Sequence, residues 1–310
     1  DVNLMFFISK ALKNEASDVA IEHLNTVLTA YPNYLPAISL NYAAHKQNGD
    51  SEPSLVAAEK LVENAPDNLN ARLLYAEMLV AEKQPNKVIK LLTKPNIEKE
   101  NISLPYYWLA LGDSYLATKQ YKKALNTFDE WTKAMPNWRA AWIKNISMNE
   151  GFRDYSAALK TTQKALKLTG DDQQLRLIET RYLIEMENFK QAQLNIDTYF
   201  SVKDDYTPVV QGLEGRILLG KKQYEDAQAK LLVYYQAHPN FKTVALIYST
   251  YITMKQQETG EHFLGQHLNT YPNDISTILL LAGSKSQTSP KEASRLYQSV
   301  LDIESSNIVA

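Results

Sequence analysis

The stretch PYYWLALGDSYLATKQYKKALNTFDEWTKAMPNW, residues 105–138, decides how this chain folds. Trp108, Leu111, Gly112 and Tyr115 fall at i, i+3, i+4 and i+7, which sets apolar or small side chains in one stripe along a helix. Lys119-Gln120 interrupts the pattern as a turn, and Ala124 and Phe128 mark the inner face of a second helix, which stops before Pro136. The stretch predicts a helix hairpin.

The same signals recur outward from it. Tyr121 with Ala124, Tyr155 with Ala158, Phe189 with Ala192 and Tyr224 with Ala227 each pair an aromatic with an alanine, and successive aromatics lie 34, 34 and 35 residues apart. Pro32, Pro66, Pro136, Pro239 and Pro272 close repeats at gaps of 34, 70, 103 and 33. Together these series set repeat starts near Asp1, Leu35, Leu69, Pro105, Arg139, Gln173, Pro208, Phe241 and Ile275, so about nine hairpins account for nearly all of the 310 residues. One hairpin cannot bury its apolar face alone and must borrow surface from its neighbours. The expectation is an all-α, right-handed solenoid, a single superhelix over residues 1–310. Val309-Ala310 arrives where a further helix would begin, so the chain reads as a fragment of a longer array.

Composition agrees with this reading. Hydrophobic residues make up 45% and charged residues 22%, which excludes a disordered polar chain. Ten glycines are too few for a turn-dense β fold, and no apolar run approaches the ~20 residues that span a bilayer. With 33 Lys plus Arg against 35 Asp plus Glu, no global basic surface recruits nucleic acid. The lack of cysteine removes disulfides, thiolate metal sites and cysteine nucleophiles, and leaves the compartment open.

This pattern resembles the tetratricopeptide repeat (TPR), a 34-residue helix hairpin. The resemblance is carried by Trp108, Leu111, Gly112, Tyr115, Ala124, Phe128 and Pro136, and it departs at Trp131, where the family favours alanine. The Gln173 repeat departs at Arg176 and Thr180, and the Leu69 repeat stretches to 36 residues through Pro85 and Pro95. Gly112, Gly215, Ala76 and Ala282 are expected where the first helix of a repeat approaches the second, with Ala124, Ala158, Ala192 and Ala227 answering from the second. Asp154 and Ser17 read as helix N-caps, and Ser289-Pro290-Lys291-Glu292 reads as a capping box.

No residue pattern points to catalysis. His23, His45, His238, His262 and His267 form no HExxH run and read as surface or helix-edge residues. Gly212, Gly215 and Gly220 do not make a dinucleotide fingerprint, and neither GxSxG nor a phosphate-binding GxxxxGK[ST] occurs. The expectation is a non-enzyme with no metal and no cofactor, whose function lies on the concave groove lined by the first helices. The resemblance implies that repeat positions 2, 5, 9 and 12 face that groove. Position 9 carries Glu77, Asp113, Ser147, Arg181 and Arg216 through the middle repeats, acid first and base later. Those charges either complement a protein or peptide segment of opposite order or keep the helices soluble. The Lys/Asn carboxylate clamp of the family's chaperone-binding members is missing, because Met5, Ser39, Leu73, Leu109 and Ile143 stand at the equivalent positions. Tyr106, Tyr107, Trp131 and Trp138 either form an aromatic platform for a sugar or peptide or pack in the core.

A narrower likeness comes from the last two repeats. HFLGQHLNTYPND at 262–274, ASRLYQSVL at 293–301 and SNIVA at 306–310 are similar to the TPR-repeat lipoproteins of the PEP-CTERM/exopolysaccharide system. That resemblance implies a lipid-tethered scaffold, periplasmic or outer-membrane-associated, with polysaccharide-export or protein-sorting components as partners; a cytoplasmic location is the alternative. The functional expectation is therefore a protein-interaction scaffold, with a carbohydrate-binding envelope protein or an enzyme's accessory repeat domain as alternatives.

Overall fold

The computed structural model describes residues 2–93, 103–200 and 207–309, and every regular element among them is a helix. The chain divides into two compact units, Asp1–Gly170 and Asp171–Ala310. The first holds α1 (Val2–Lys13), α2 (Ser17–Ala30), α3 (Leu35–Asn48), α4 (Ser51–Asn64), α5 (Leu69–Ala81), α6 (Pro85–Leu92), α7 (Pro105–Ala117), α8 (Tyr121–Ala134), α9 (Arg139–Gly151) and α10 (Tyr155–Thr169). The second holds α11 (Gln173–Glu185), α12 (Phe189–Tyr199), α13 (Thr207–Gly220), α14 (Tyr224–Ala237), α15 (Phe241–Thr253), α16 (Gln257–Thr270), α17 (Ile275–Lys285) and α18 (Pro290–Ile303). Within each unit, helices pack only on those one or two places away in the chain: α5 touches α4, α6 and α7, and α15 touches α14, α16 and α17. Such nearest-neighbour packing is that of a TPR-type solenoid, in which every core is made locally.

Eight hairpin turns among the described residues share a backbone device. Glu15, Lys83, Lys119, Arg153, Glu187, Lys222 and Lys255 adopt φ between 54° and 61°, and Gly49 adopts 83°. In each case the next N–H reaches the carbonyl five residues back, as Gln120 to Tyr115 and Asn188 to Leu183, both at 2.8 Å. This bond satisfies one of the orphan carbonyls at the end of the first helix and reverses the chain within three residues. The loops between hairpins repeat another device. Tyr31, Ala65, Met135, His238 and Tyr271 end their helices at φ between −124° and −140°, and the proline that follows each one prevents continuation.

Small residues let the paired helices close up. A Cβ added to Gly112 would lie 2.2 Å from the Phe128 ring, and one on Gly215 would lie 2.8 Å from Leu231. Ala76, Ala124, Ala158, Ala192, Ala227 and Ala282 are all fully buried. Around Gly112 the core is aromatic: Tyr107, Trp108, Phe128 and Trp131 are buried with Leu79, Leu92 and Leu111. Arg176, where an aromatic was expected, lies over the Tyr199 ring at 3.9 Å, and Thr180 is fully buried with its hydroxyl on the Arg176 carbonyl.

Three local expectations need correction. Ser17 is the first residue of α2 and is buried; Ala16 is the N-cap. Asp154 does cap α10, accepting from the Ala157 N–H at 2.9 Å. Ser289 makes no side-chain cap bond and the Glu292 carboxylate pairs with Lys285 at 3.1 Å, so neither half of the expected capping box forms. His267 is not a surface residue: it is 3% exposed and binds Tyr235 and Asp274. Pro95 lies outside the described residues.

Candidate functional site

Within each unit some odd-numbered helices of successive hairpins touch: α1 with α3 and α5 with α7 in the first, α11 with α13 and α15 with α17 in the second. Position 9 of the repeats falls on the odd-numbered helices. Glu77 (α5), Asp113 (α7) and Ser147 (α9) lie in the first compact unit, whereas Arg181 (α11) and Arg216 (α13) lie in the second.

Most of the position-9 charges are engaged within the chain. Glu77 accepts from Lys46 Nζ at 2.5 Å and from the Tyr42 hydroxyl at 2.9 Å. Asp113 takes Lys144 Nζ on both oxygens, at 2.7 and 3.0 Å. Arg216 reaches Glu185 at 2.7 Å. In all three ion pairs the partners are 31 residues apart, so each one bridges neighbouring odd helices. Arg181 sits half-buried against Tyr182, its guanidinium carbon 5.1 Å from the ring centroid and Nη2 3.4 Å from the hydroxyl. Ser147 is exposed.

The proposed aromatic platform does not assemble. Trp131 is 1% exposed and packs on Phe128 with ring centroids 6.4 Å apart, so it has no face to offer a ligand. Tyr107 is fully buried and donates to the Leu92 carbonyl. Tyr106 is half-buried, packed against the core, with its hydroxyl pushed up to about 12 by burial and then by the nearby charge of Glu77. Trp138 alone of these four is well exposed, at 44%. It forms, with Arg139, Ala140, Ile143 and Lys144, a shallow and largely apolar pocket of about 530 Å³ at the start of α9. Ala140 and Ile143 are repeat positions 2 and 5.

A larger cleft of about 960 Å³ lies in the second unit, beside α16 and the α17–α18 turn. Its polar groups bind one another: Glu261 accepts from Ser284 at 2.6 Å and pairs with Lys285, which also reaches Glu292. Burial works against the charge of Glu261, but the bonds from Ser284, Gln257 and Lys285 hold its carboxyl below the usual range. Among the described residues no group of three or more His, Asp or Glu side chains is placed to hold a metal ion, and no helix is long and apolar enough to cross a membrane.

Comparison with known proteins adds the following. The family "Anaphase-promoting complex, cyclosome, subunit 3" matches residues 47–131, from the end of α3 into α8. No curated protein matches the chain. Among solved structures, a chain of the APC/C hetero-tetramer Cut9-Hcn1 is similar over 94% of this chain and 57% of its own, at 16% identity and a TM-score of 0.50. A chain of Naa15/Naa10 bound to HypK-THB is similar over 97% of this chain and 46% of its own, at 13% identity and a TM-score of 0.52. A tetratricopeptide repeat protein from Parabacteroides merdae is similar over 80% of this chain and 97% of its own, at 15% identity and a TM-score of 0.47. This chain thus spans about half the length of the first two, and at these identities the likeness is one of fold. The matches support the TPR-type repeat and lend no support to the PEP-CTERM lipoprotein resemblance.

Proposed function

We propose that this chain is a non-catalytic interaction scaffold that binds a segment of another protein along its odd-helix face. One observation carries the reading. The position-9 carboxylates of the first unit are neutralised within the chain, while Trp138, Ala140 and Ile143, with Arg139 and Lys144, line an open apolar pocket at the start of α9. A surface of that kind anchors a partner through one or two large apolar side chains, with the surrounding ion pairs as a polar rim. An amphipathic helix or an extended strand of protein supplies such anchors at regular spacing. Two of the three structures described above, Cut9-Hcn1 and Naa15/Naa10 bound to HypK-THB, are assemblies of several proteins, which favours the same reading.

The test is affinity capture with wild-type protein and two variants. Ile143→Arg places a charge in the pocket and abolishes capture of the partner; Lys160→Glu, on α10, leaves capture unchanged. Equal capture by all three proteins contradicts the reading. A place in the bacterial envelope, beside export or sorting components, rests on the sequence resemblance of the last two repeats alone, and fractionation of the source cells tests it.

A further inference from the structure

Asn48-Gly49 is the one Asn-Gly step in the sequence, and it lies at the turn between α3 and α4. Asn48 is the last residue of α3 and is exposed. Gly49 follows at φ 83°, and a Cβ built on it would meet nothing within 4 Å. An asparagine side chain that precedes glycine is open to attack by the next backbone nitrogen, because no side chain shields that nitrogen and the glycine backbone bends freely.

The same side chain holds two carboxylates. Asn48 Nδ2 donates to Asp18 Oδ1, in the first turn of α2, and to Asp50 Oδ2, at the N-cap of α4, both at 3.2 Å. Carboxylates only accept, so both hydrogens of the amide are in use and its nitrogen must face them. His45 Nδ1 lies 2.9 Å from the same Asp50 oxygen, and the bonds from His45 and then Asn48 hold the Asp50 carboxyl below its ordinary value. The last turn of α3 is also where the second hairpin meets both neighbours: Lys46 reaches Glu77 of α5, and Gln47 Nε2 donates to the Leu12 carbonyl of α1.

We propose that Asn48 is a site of spontaneous deamidation, and that its conversion unties the second hairpin from the first. The Gly49 nitrogen gives up its proton to base and bonds to Asn48 Cγ; the side-chain nitrogen takes up a proton and leaves as ammonia, so a cyclic imide remains. Water then opens the ring at either carbonyl, to aspartate or to isoaspartate. In the folded turn the Gly49 N–H donates to the Lys46 carbonyl at 3.2 Å, so the reaction waits for the turn to open. The product does not restore the turn. Aspartate replaces two donors with acceptors between Asp18 and Asp50, and it sets a negative charge at the C-terminal end of α3, where the helix dipole opposes it. Isoaspartate adds a methylene to the main chain at the same point.

The experiment holds the purified chain in mildly alkaline buffer, folded or in urea, and follows each asparagine by peptide mapping with fragmentation that distinguishes isoaspartate. Asn48 converts several-fold faster than any other asparagine in both states, and about tenfold more slowly in the folded chain than in urea. Asn48→Gln, which keeps the amide on a longer arm, stays unconverted at that position. Asn48→Asp reproduces the product: hydrogen exchange quickens at the α3–α4 turn and in α2 and is unchanged in α7 and α8. Conversion spread evenly over the asparagines overturns the site, and equal rates in the folded and unfolded chain overturn its gating by the turn. An Asn48→Asp protein whose exchange matches wild type throughout overturns the untying.

Discussion

Arg72 and Trp142 occupy the same position of their repeats and make the same bond. Arg72 Nε donates to the Pro66 carbonyl at 2.6 Å, and Trp142 Nε1 donates to the Pro136 carbonyl at 2.7 Å, each six residues back. Both side chains are buried, at 1% and 2%. Two chemically unlike residues thus close the loop between one hairpin and the next by satisfying the carbonyl of its proline.

Their equivalence makes a prediction. Arg72→Leu leaves the Pro66 carbonyl without this donor and destabilises the first unit by about 1–3 kcal/mol. Arg72→Trp restores an N–H at the same place and loses clearly less. Urea unfolding of both variants checks this; equal losses would show that the shared bond is not what holds the position.

Helix approach at Gly112 makes a second. Gly112→Ala drives a methyl into the Phe128 ring, so α7 and α8 must separate at a cost of about 1–3 kcal/mol. Since every core is local, hydrogen exchange should rise in α7, α8 and their neighbours and stay unchanged in α1 and α2. Uniform loosening throughout the first unit contradicts the local picture.

The left-handed turns make a third. Lys119 holds φ 59° without the freedom of glycine, so Lys119→Gly stabilises the α7–α8 hairpin by roughly 0.5–1 kcal/mol. Gly49→Ala, at φ 83°, does the reverse for α3–α4. Thermal melts of the two variants should move in opposite directions.

Stability should also fall at both ends of the pH scale. Burial opposes the charge of Asp274, but bonds from Thr277 and His267 outweigh it and hold the carboxyl below its ordinary value. A depressed acid contributes stability that is present above its unfolded pKa and lost as pH falls through the folded one, so the second unit weakens below about pH 4. Asp274→Asn removes that dependence. At the alkaline end, burial pushes the Tyr107 hydroxyl up to about 12, and the charge of Glu130 adds to it. Its contribution is therefore present below about pH 10 and lost as pH rises toward 12. Tyr107→Phe flattens the alkaline limb, and pH-resolved melts of the two variants read both effects.

What could be read in advance follows from what each signal encodes. The hairpins were legible because Ala124, Ala158, Ala192 and Ala227 mark helix crossings, and crossings recur with the repeat. The left-handed turns were not, because Lys, Glu and Arg occupy seven of the eight and carry no sign of positive φ; only Gly49 does. Trp131 could have been placed in the core, since Ala124, Phe128 and Trp131 continue one stripe at i, i+4, i+7. The pairing of the position-9 charges was hidden for a different reason. Their partners Lys46, Lys144 and Glu185 stand at other repeat positions, and reading one position down the chain hides them, although the constant separation of 31 residues was there to be found.

The central claim is that partners dock on the odd-helix face, and the most direct measurement is capture by Ile143→Arg beside wild type and Lys160→Glu, with each protein first shown to be folded. The account predicts that Ile143→Arg alone loses the partner. Retention by Ile143→Arg, or equal loss from Lys160→Glu, would contradict it.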